Sequence, residues 1–186
     1  MRGALGLVAA HEAAGVQPER VGGKGSQLGY LLRYGLPVPD FFVVPAEWSR
    51  QRLSGIPASL RESLSSELER RRWRDIPLAV RSSAVGEDAA GASFAGIYRS
   101  CLNVMGLDAL CAAMAEVWAS LDAPAAATYR ERMGIECEPV MAVVVMPLLA
   151  AEASGIAFTC DPLSGRDDRM VVHAHWGLGE TLVGGE

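Results

Sequence analysis

Apolar positions recur along this chain in two rhythms, one near 3.6 residues and one near 2, and the changes between them mark its elements. Leu28, Leu31 and Leu32 fall at helical spacing and predict a helix over residues 27–34, with Ser26 as its N-cap and Gly35 at its C-terminal end. Residues 4–15 also read as a helix. Pro37 and Pro39 stop any helical continuation. Phe41 to Val44 is a short apolar strand, and residues 46–53 and 58–73 are predicted helical. Leu78 to Arg81 reads as a buried strand and Ile97 to Val104 as another. Residues 107–121 and 123–133 are alanine-rich helices. Pro139 to Met146, Gly155 to Thr159 and Met170 to Ala174 are three further β segments. Strands and helices mix without strict alternation, which points to an α+β (mixed α/β) fold rather than a doubly wound sheet.

Composition narrows the picture. With 186 residues and half of them hydrophobic, the chain fits one globular domain or two small lobes, divided near residue 75 into 1–75 and 76–186. A net charge of -5 argues against nucleic acid as the main partner, because a phosphate backbone requires a basic face. The local run Arg70, Arg71, Arg72 and Arg74 follows Glu62, Glu67 and Glu69 on one helix. Glu67 and Arg71 form an i,i+4 pair, so the run reads as a solvated helix end whose cations suit the helix dipole. Cys101, Cys111, Cys137 and Cys160 lack the spacing of a zinc site or a disulfide frame and read as scattered buried thiols of a reducing compartment. The apolar run after Arg2 is too short to cross a bilayer, and no other stretch is long enough, so a cytoplasmic, non-membrane protein is expected.

Candidate chemistry concentrates in four segments. The chain has sixteen arginines but a single lysine, Lys24, which lies in Gly22-Gly23-Lys24-Gly25-Ser26. Glycines let a backbone approach a ligand, a following helix N-terminus favours an anion, and a lysine adds a mobile charge. The segment is neither a P-loop GxxxxGK[ST] nor a dinucleotide fingerprint, and taken alone a structural glycine turn fits it as well. The second segment runs from Val80-Arg81-Ser82-Ser83 to Gly96. A strand ending in arginine delivers a fixed cationic fork, and the serines and glycines after it offer hydroxyls and N–H groups to phosphate oxygens. Glu87 and Asp88 within it fit a turn or a cation contact. The third and fourth segments are Ser154-Gly155-Ile156-Ala157-Phe158-Thr159 with Cys160-Asp161-Pro162, and Trp176-Gly177-Leu178-Gly179-Glu180. His173 and His175 share one strand face by period 2 and read as ordinary strand histidines, since no third ligand lies near them.

Taken in order, VGGKGSQLG with LPVP and FFVV, AVRSSAVGEDAAGASFAG with LNV, SGIAFTCDPLSG, and HWGLGETLVGG resemble the N-terminal ATP-binding domain of the phosphoenolpyruvate synthase and pyruvate phosphate dikinase family, shared with rifampicin phosphotransferase. The resemblance covers residues 5–185. It implies an ATP-grasp-like fold that is incomplete here, and phosphoryl transfer from ATP through an enzyme histidine to pyruvate or another acceptor such as an antibiotic. Lys24 matches the family's phosphate-contacting lysine and Arg81 the arginine that reaches the phosphates. Gly96 matches the end of the glycine-rich loop over ATP, and Ser100 stands where a nucleotide-contacting threonine occurs. Val144 falls where the family usually has a glutamine near adenine, and Ile97 where a polar residue is common. Magnesium is expected from the family, with its carboxylate ligands in a later part of the domain that lies outside these 186 residues. The phosphohistidine and acceptor domains lie outside them too, and His11, His173 and His175 do not match the phosphohistidine motif. A partner or further segment supplying those parts is implied, and so is a third reading, a non-catalytic nucleotide-binding or pairing module.

Overall fold

Seven strands and four α-helices are built from the described residues of the computed structural model, which are 6–84, 98–132 and 139–179. Strands β1 (Val8–Ala9), β2 (Phe42–Val44), β3 (Leu78–Ala84), β4 (Ser100–Val104) and β5 (Met141–Pro147) form a sheet in the order β1-β2-β5-β3-β4, with every neighbour antiparallel. Strands β6 (Ala153–Phe158) and β7 (Val171–Trp176) pair antiparallel in a second, two-stranded sheet. The helices are α1 (Pro18–Arg33), α2 (Ala58–Arg71), α3 (Gly106–Ala119) and α4 (Pro124–Arg132), with short 3-10 turns at Ala13–Gly15, Ala46–Ser54 and Ser120–Asp122. Helices and antiparallel sheets together make the expected α+β class.

The chain divides into two compact units, Met1–Leu148 and Leu149–Glu186. The expected boundary near residue 75 is not where it divides. β5 inserts between β2 and β3, so a strand from beyond residue 140 joins the two halves of the supposed lobe pair into one sheet.

β5 is the centre of the first unit. Its run Met141-Ala142-Val143-Val144-Val145-Met146 is buried on both faces. One face carries Val143 and Val145 into a cluster with Phe42, Leu78 and Val80, closed by α2 and α3. Leu60, Leu64 and Leu68 repeat every fourth residue on α2 and are wholly buried there, each contributing about 1.5–3 kcal/mol by leaving water. Trp118 of α3 is fully buried, and its indole N–H donates to the Met141 carbonyl at 3.1 Å. The opposite face carries Val144 into a second cluster with Val8, Val43, Ala79 and Val21, with Leu28 and Leu32 of α1 packed against it.

Two readings of the sequence change here. Among described residues of the 4–15 segment there is no α-helix: Val8 and Ala9 pair with Val43 and Phe42 at the sheet edge, and only Ala13–Gly15 turns as a 3-10 helix. Alanine's helix preference is worth only tenths of a kcal/mol per residue, less than an edge pairing with buried Val8 recovers (about 1 kcal/mol or more). The Arg70–Arg74 run is also not wholly solvated. Arg71 does pair with Glu67 at 2.6 Å, but its side chain is only 5% exposed. Its guanidinium lies over the Trp73 ring at 4.8 Å and also pairs with Asp40. Hydrogen bonds from Arg70 and, less strongly, Arg71 hold the Glu67 carboxyl below its ordinary range.

The end of α2 carries a measurable strain. Arg72 sits in the left-handed region (φ 60, ψ 40), with Arg72 N–H donating to Glu69 and Trp73 N–H to Leu68 at 2.8 Å. This closure normally uses glycine. Arg72→Gly is therefore expected to raise stability by about 0.5–1 kcal/mol, the left-handed penalty less the added chain entropy. Thermal denaturation checks it: an unchanged or lower midpoint would count against the strain.

Candidate nucleotide-phosphate site

The glycine segment forms a kinked helix rather than a loop ahead of one. α1 starts at Pro18, breaks at Gly22 (φ 70, ψ 175), and resumes through Arg33. That backbone region is essentially closed to residues with a side chain. Ser26 is therefore inside the helix and buried, not its N-cap. The cap comes from elsewhere in the chain: the Ser83 hydroxyl of β3 accepts from Gly25 N–H at 3.0 Å and donates to the Val21 carbonyl at 2.7 Å. One hydroxyl thus bridges the two sides of the break. A Cβ at Gly25 would press on Val43 at 3.3 Å, so glycine there lets α1 lie against the sheet. Lys24 is half-buried, in the first turn after the break.

Arg81 stands in the middle of β3. It faces Ser100 of β4 on one side and Val144 of β5 on the other, and Val144 in turn faces Val43 and Val43 faces Val8. Residues directly opposite in a ladder share a face. The five form one row across the sheet, on the face that α1 covers. Along it the environment changes from buried valines, through half-buried Arg81, to exposed Ser100 on the edge strand. Ser83 is on the same face, two residues from Arg81, and holds the helix that carries Lys24. Lys24, Arg81 and Ser100 are thus collected on one side of one sheet. Gly96, Ile97, Glu87 and Asp88 lie outside the described residues. Val144 is core, fully buried in the cluster beneath α1.

Sequence reasoning missed the role of Ser83. It offers Ser82 and Ser83 as hydroxyls for phosphate, but both are buried, and the Ser83 hydroxyl is spent on Val21 and Gly25. The signal is the pairing of a GGKG segment with a strand serine. It is invisible locally, because the partners are 58 residues apart.

In the second unit, the other two segments meet each other. Ser154 faces His175 across β6 and β7, and its hydroxyl donates to the Gly177 carbonyl at 2.7 Å. Gly177 N–H returns to the Glu152 carbonyl at 2.7 Å. Asp161 closes the loop after β6: its carboxylate accepts from the Ser164 hydroxyl at 2.6 Å and from Leu163 N–H at 2.9 Å, and these bonds hold its carboxyl below the ordinary range.

The pyruvate phosphate dikinase AMP/ATP-binding domain matches residues 52–186. The chain belongs to this family. Arg81 and Ser100 fall inside the matched stretch of the dikinase domain, and Lys24 precedes it. Full-length relatives reach further forward. A phosphoenolpyruvate synthase of Aeropyrum pernix is 34% identical over 89% of this chain. A rifampicin phosphotransferase of Streptomyces sviceus is 38% identical over 89%. The prodigiosin synthesizing transferase PigC of Serratia marcescens is 35% identical over 92%. The chain spans 26%, 23% and 22% of those relatives, about a quarter of their length.

Among the described residues, the other candidate groups of this dikinase-family chain add no site. Among the described residues no group of three or more His, Cys, Asp or Glu side chains could hold a metal ion. His173 and His175 are exposed on β7, and His173 meets the Phe158 ring edge-on at 6.3 Å. Of the described cysteines, Cys111 is buried and Cys101 half-buried, but Cys160 is exposed, against the expectation that all four are core. No helix among the described residues is long and apolar enough to cross a membrane.

Proposed function

We infer that this chain is the ATP-binding portion of a dikinase that passes a phosphoryl group from ATP, through an enzyme histidine, to pyruvate, as a phosphoenolpyruvate synthase does. One observation carries the reading: Arg81 and Ser100 share a row on the sheet face covered by the kinked helix that bears Lys24. In this reading Lys24 and Arg81 neutralise phosphate charge, Ser100 offers a hydroxyl to the nucleotide, and Gly96 ends a loop over the phosphates. A glycine-bordered helix start beside a cationic fork is chemistry suited to a polyphosphate. Phosphoryl transfer asks mainly for such positioning and charge neutralisation. The ATP-grasp-like architecture belongs to the same proposal. Magnesium, expected beside ATP, has no cluster of ligands among the described residues.

A second reading is favoured by the 38% identity to a rifampicin phosphotransferase: the same ATP site feeding an antibiotic acceptor. Both readings make the same forecast for these residues alone. The 186-residue chain is expected to bind ATP without turning it over, because it spans about a quarter of its relatives' length and the resemblance implies acceptor and histidine domains in the remainder. Coupled assay of the chain with ATP and pyruvate is expected to give no phosphoenolpyruvate. Measurable product would overturn the division of labour. Within a longer polypeptide carrying this chain, phosphoenolpyruvate formed from pyruvate supports the first reading, and phosphorylated rifampicin the second.

A further inference from the structure

Ser83 is buried, has its hydroxyl on both sides of the Gly22 break, and lies two residues from Arg81 on one strand face. Gly22 brings the helix backbone so close to the strand that a Cβ there would lie within 3.0 Å of the Ser83 carbonyl oxygen and of its hydroxyl. Lys24 is between the two residues this hydroxyl holds, Val21 and Gly25. We propose that Ser83 is a positioning residue that fixes the spacing between Lys24 and Arg81, and thereby sets affinity for the nucleotide phosphates.

The physical case is a comparison of tethers. Without the hydroxyl, Gly25 N–H and the Val21 carbonyl lose a buried partner that spans the break. Buried groups left without partners seek new ones, so the helix start shifts or frays. A shift there moves Lys24, while Arg81 stays fixed by its ladder to β4 and β5. Two cations acting on one polyphosphate lose cooperation when their separation is no longer set.

The proposal rests on reading Lys24 and Arg81 as phosphate contacts, and its test separates the two. ATP affinity is measured by calorimetry on the full chain for the unaltered protein, Ser83→Ala, Lys24→Ala and the double variant. Ser83→Ala is expected to weaken ATP about fivefold or more, and Lys24→Ala about tenfold or more. The double variant is expected to match Lys24→Ala to within about twofold, since a residue acting only through Lys24 has nothing left to position. Amide exchange is expected to rise at Gly25 while β2 and β5 stay protected, which reports a local change in a folded chain. Should Ser83→Ala not fold, Ser83→Cys, which fills similar space with a weak donor and acceptor, carries the same expectation at smaller size. Full additivity in the double variant, or unchanged affinity in Ser83→Ala, overturns the positioning role alone. No ATP binding by the unaltered chain, or no loss in Lys24→Ala, overturns the phosphate reading and this role with it.

Discussion

Gly22→Ala is expected to cost at least about 3 kcal/mol of stability, near the upper end for a single substitution. Two independent penalties meet at this position. The backbone angles, φ 70 and ψ 175, belong to a region that residues with a Cβ scarcely occupy. The space is also taken, because the added methyl would lie within 3.0 Å of the backbone of β3, which has no flexible end to move aside. Relief requires α1 to lift from the sheet, which uncovers Val21, Val43 and Val144. Gly35→Ala is the matched control. Gly35 has φ 76 but nothing within 4 Å of where an added methyl would sit, so that substitution carries the backbone penalty alone, about 1 kcal/mol. Urea denaturation of both variants compares them. Equal losses would show that close approach to Ser83 adds nothing.

That contrast also marks what is legible in the sequence. Gly35 ends α1 as its position suggests, with Gly35 N–H donating to Leu32 and Leu36 N–H to Leu31 at 3.0 Å. Its role is set by residues within about five of it. Gly22 is set by β3, far along the chain, so reading GGKGS locally places the helix N-cap at Ser26, beyond the break instead of ahead of it. The same division runs through the fold. Leu60, Leu64 and Leu68 announce their helix face by spacing alone. The insertion of β5 between β2 and β3 carries no local mark, so the sequence suggests a division near residue 75 where the structure has one after Leu148. Val8 and Ala9 read as helix for the same reason, their partners being Val43 and Phe42.

The candidate site is legible in its residues but not in its geometry. Arg81, Ser100 and Val144 come from three motif positions with no stated relation, and antiparallel pairing puts them side by side in one row. The row also changes what Val144 means. A position compared with a base-contacting glutamine is wholly buried under α1, so its side chain contributes packing. Ser83 shows the reverse. A serine expected to reach outward to phosphate is turned inward, and its proposed contribution to binding passes through the helix it holds.

Arg81→Ala is expected to weaken ATP by about ten- to hundredfold, and Lys24→Ala by about tenfold or more, as fits loss of charge-assisted contacts. Arg81→Lys is expected to recover only part of the loss, because an ammonium supplies the charge without the planar fork. Both residues are half-buried, so each is held by the fold yet open to a ligand. Removing Lys24 takes no side chain out of either apolar cluster, so Lys24→Ala is expected to keep a cooperative unfolding transition. Loss of affinity in a variant that keeps this transition is therefore the signature of a phosphate contact here. The affinity is also expected to fall as salt rises, since part of it is attraction between charges that solvent still reaches, and to fall less steeply in either variant. Calorimetry at two ionic strengths, paired with denaturation of the same samples, reads both quantities. Unchanged affinity in Lys24→Ala and Arg81→Ala, with the fold intact, would leave the row of Arg81, Ser100 and Val144 as sheet architecture and place ATP elsewhere on the chain.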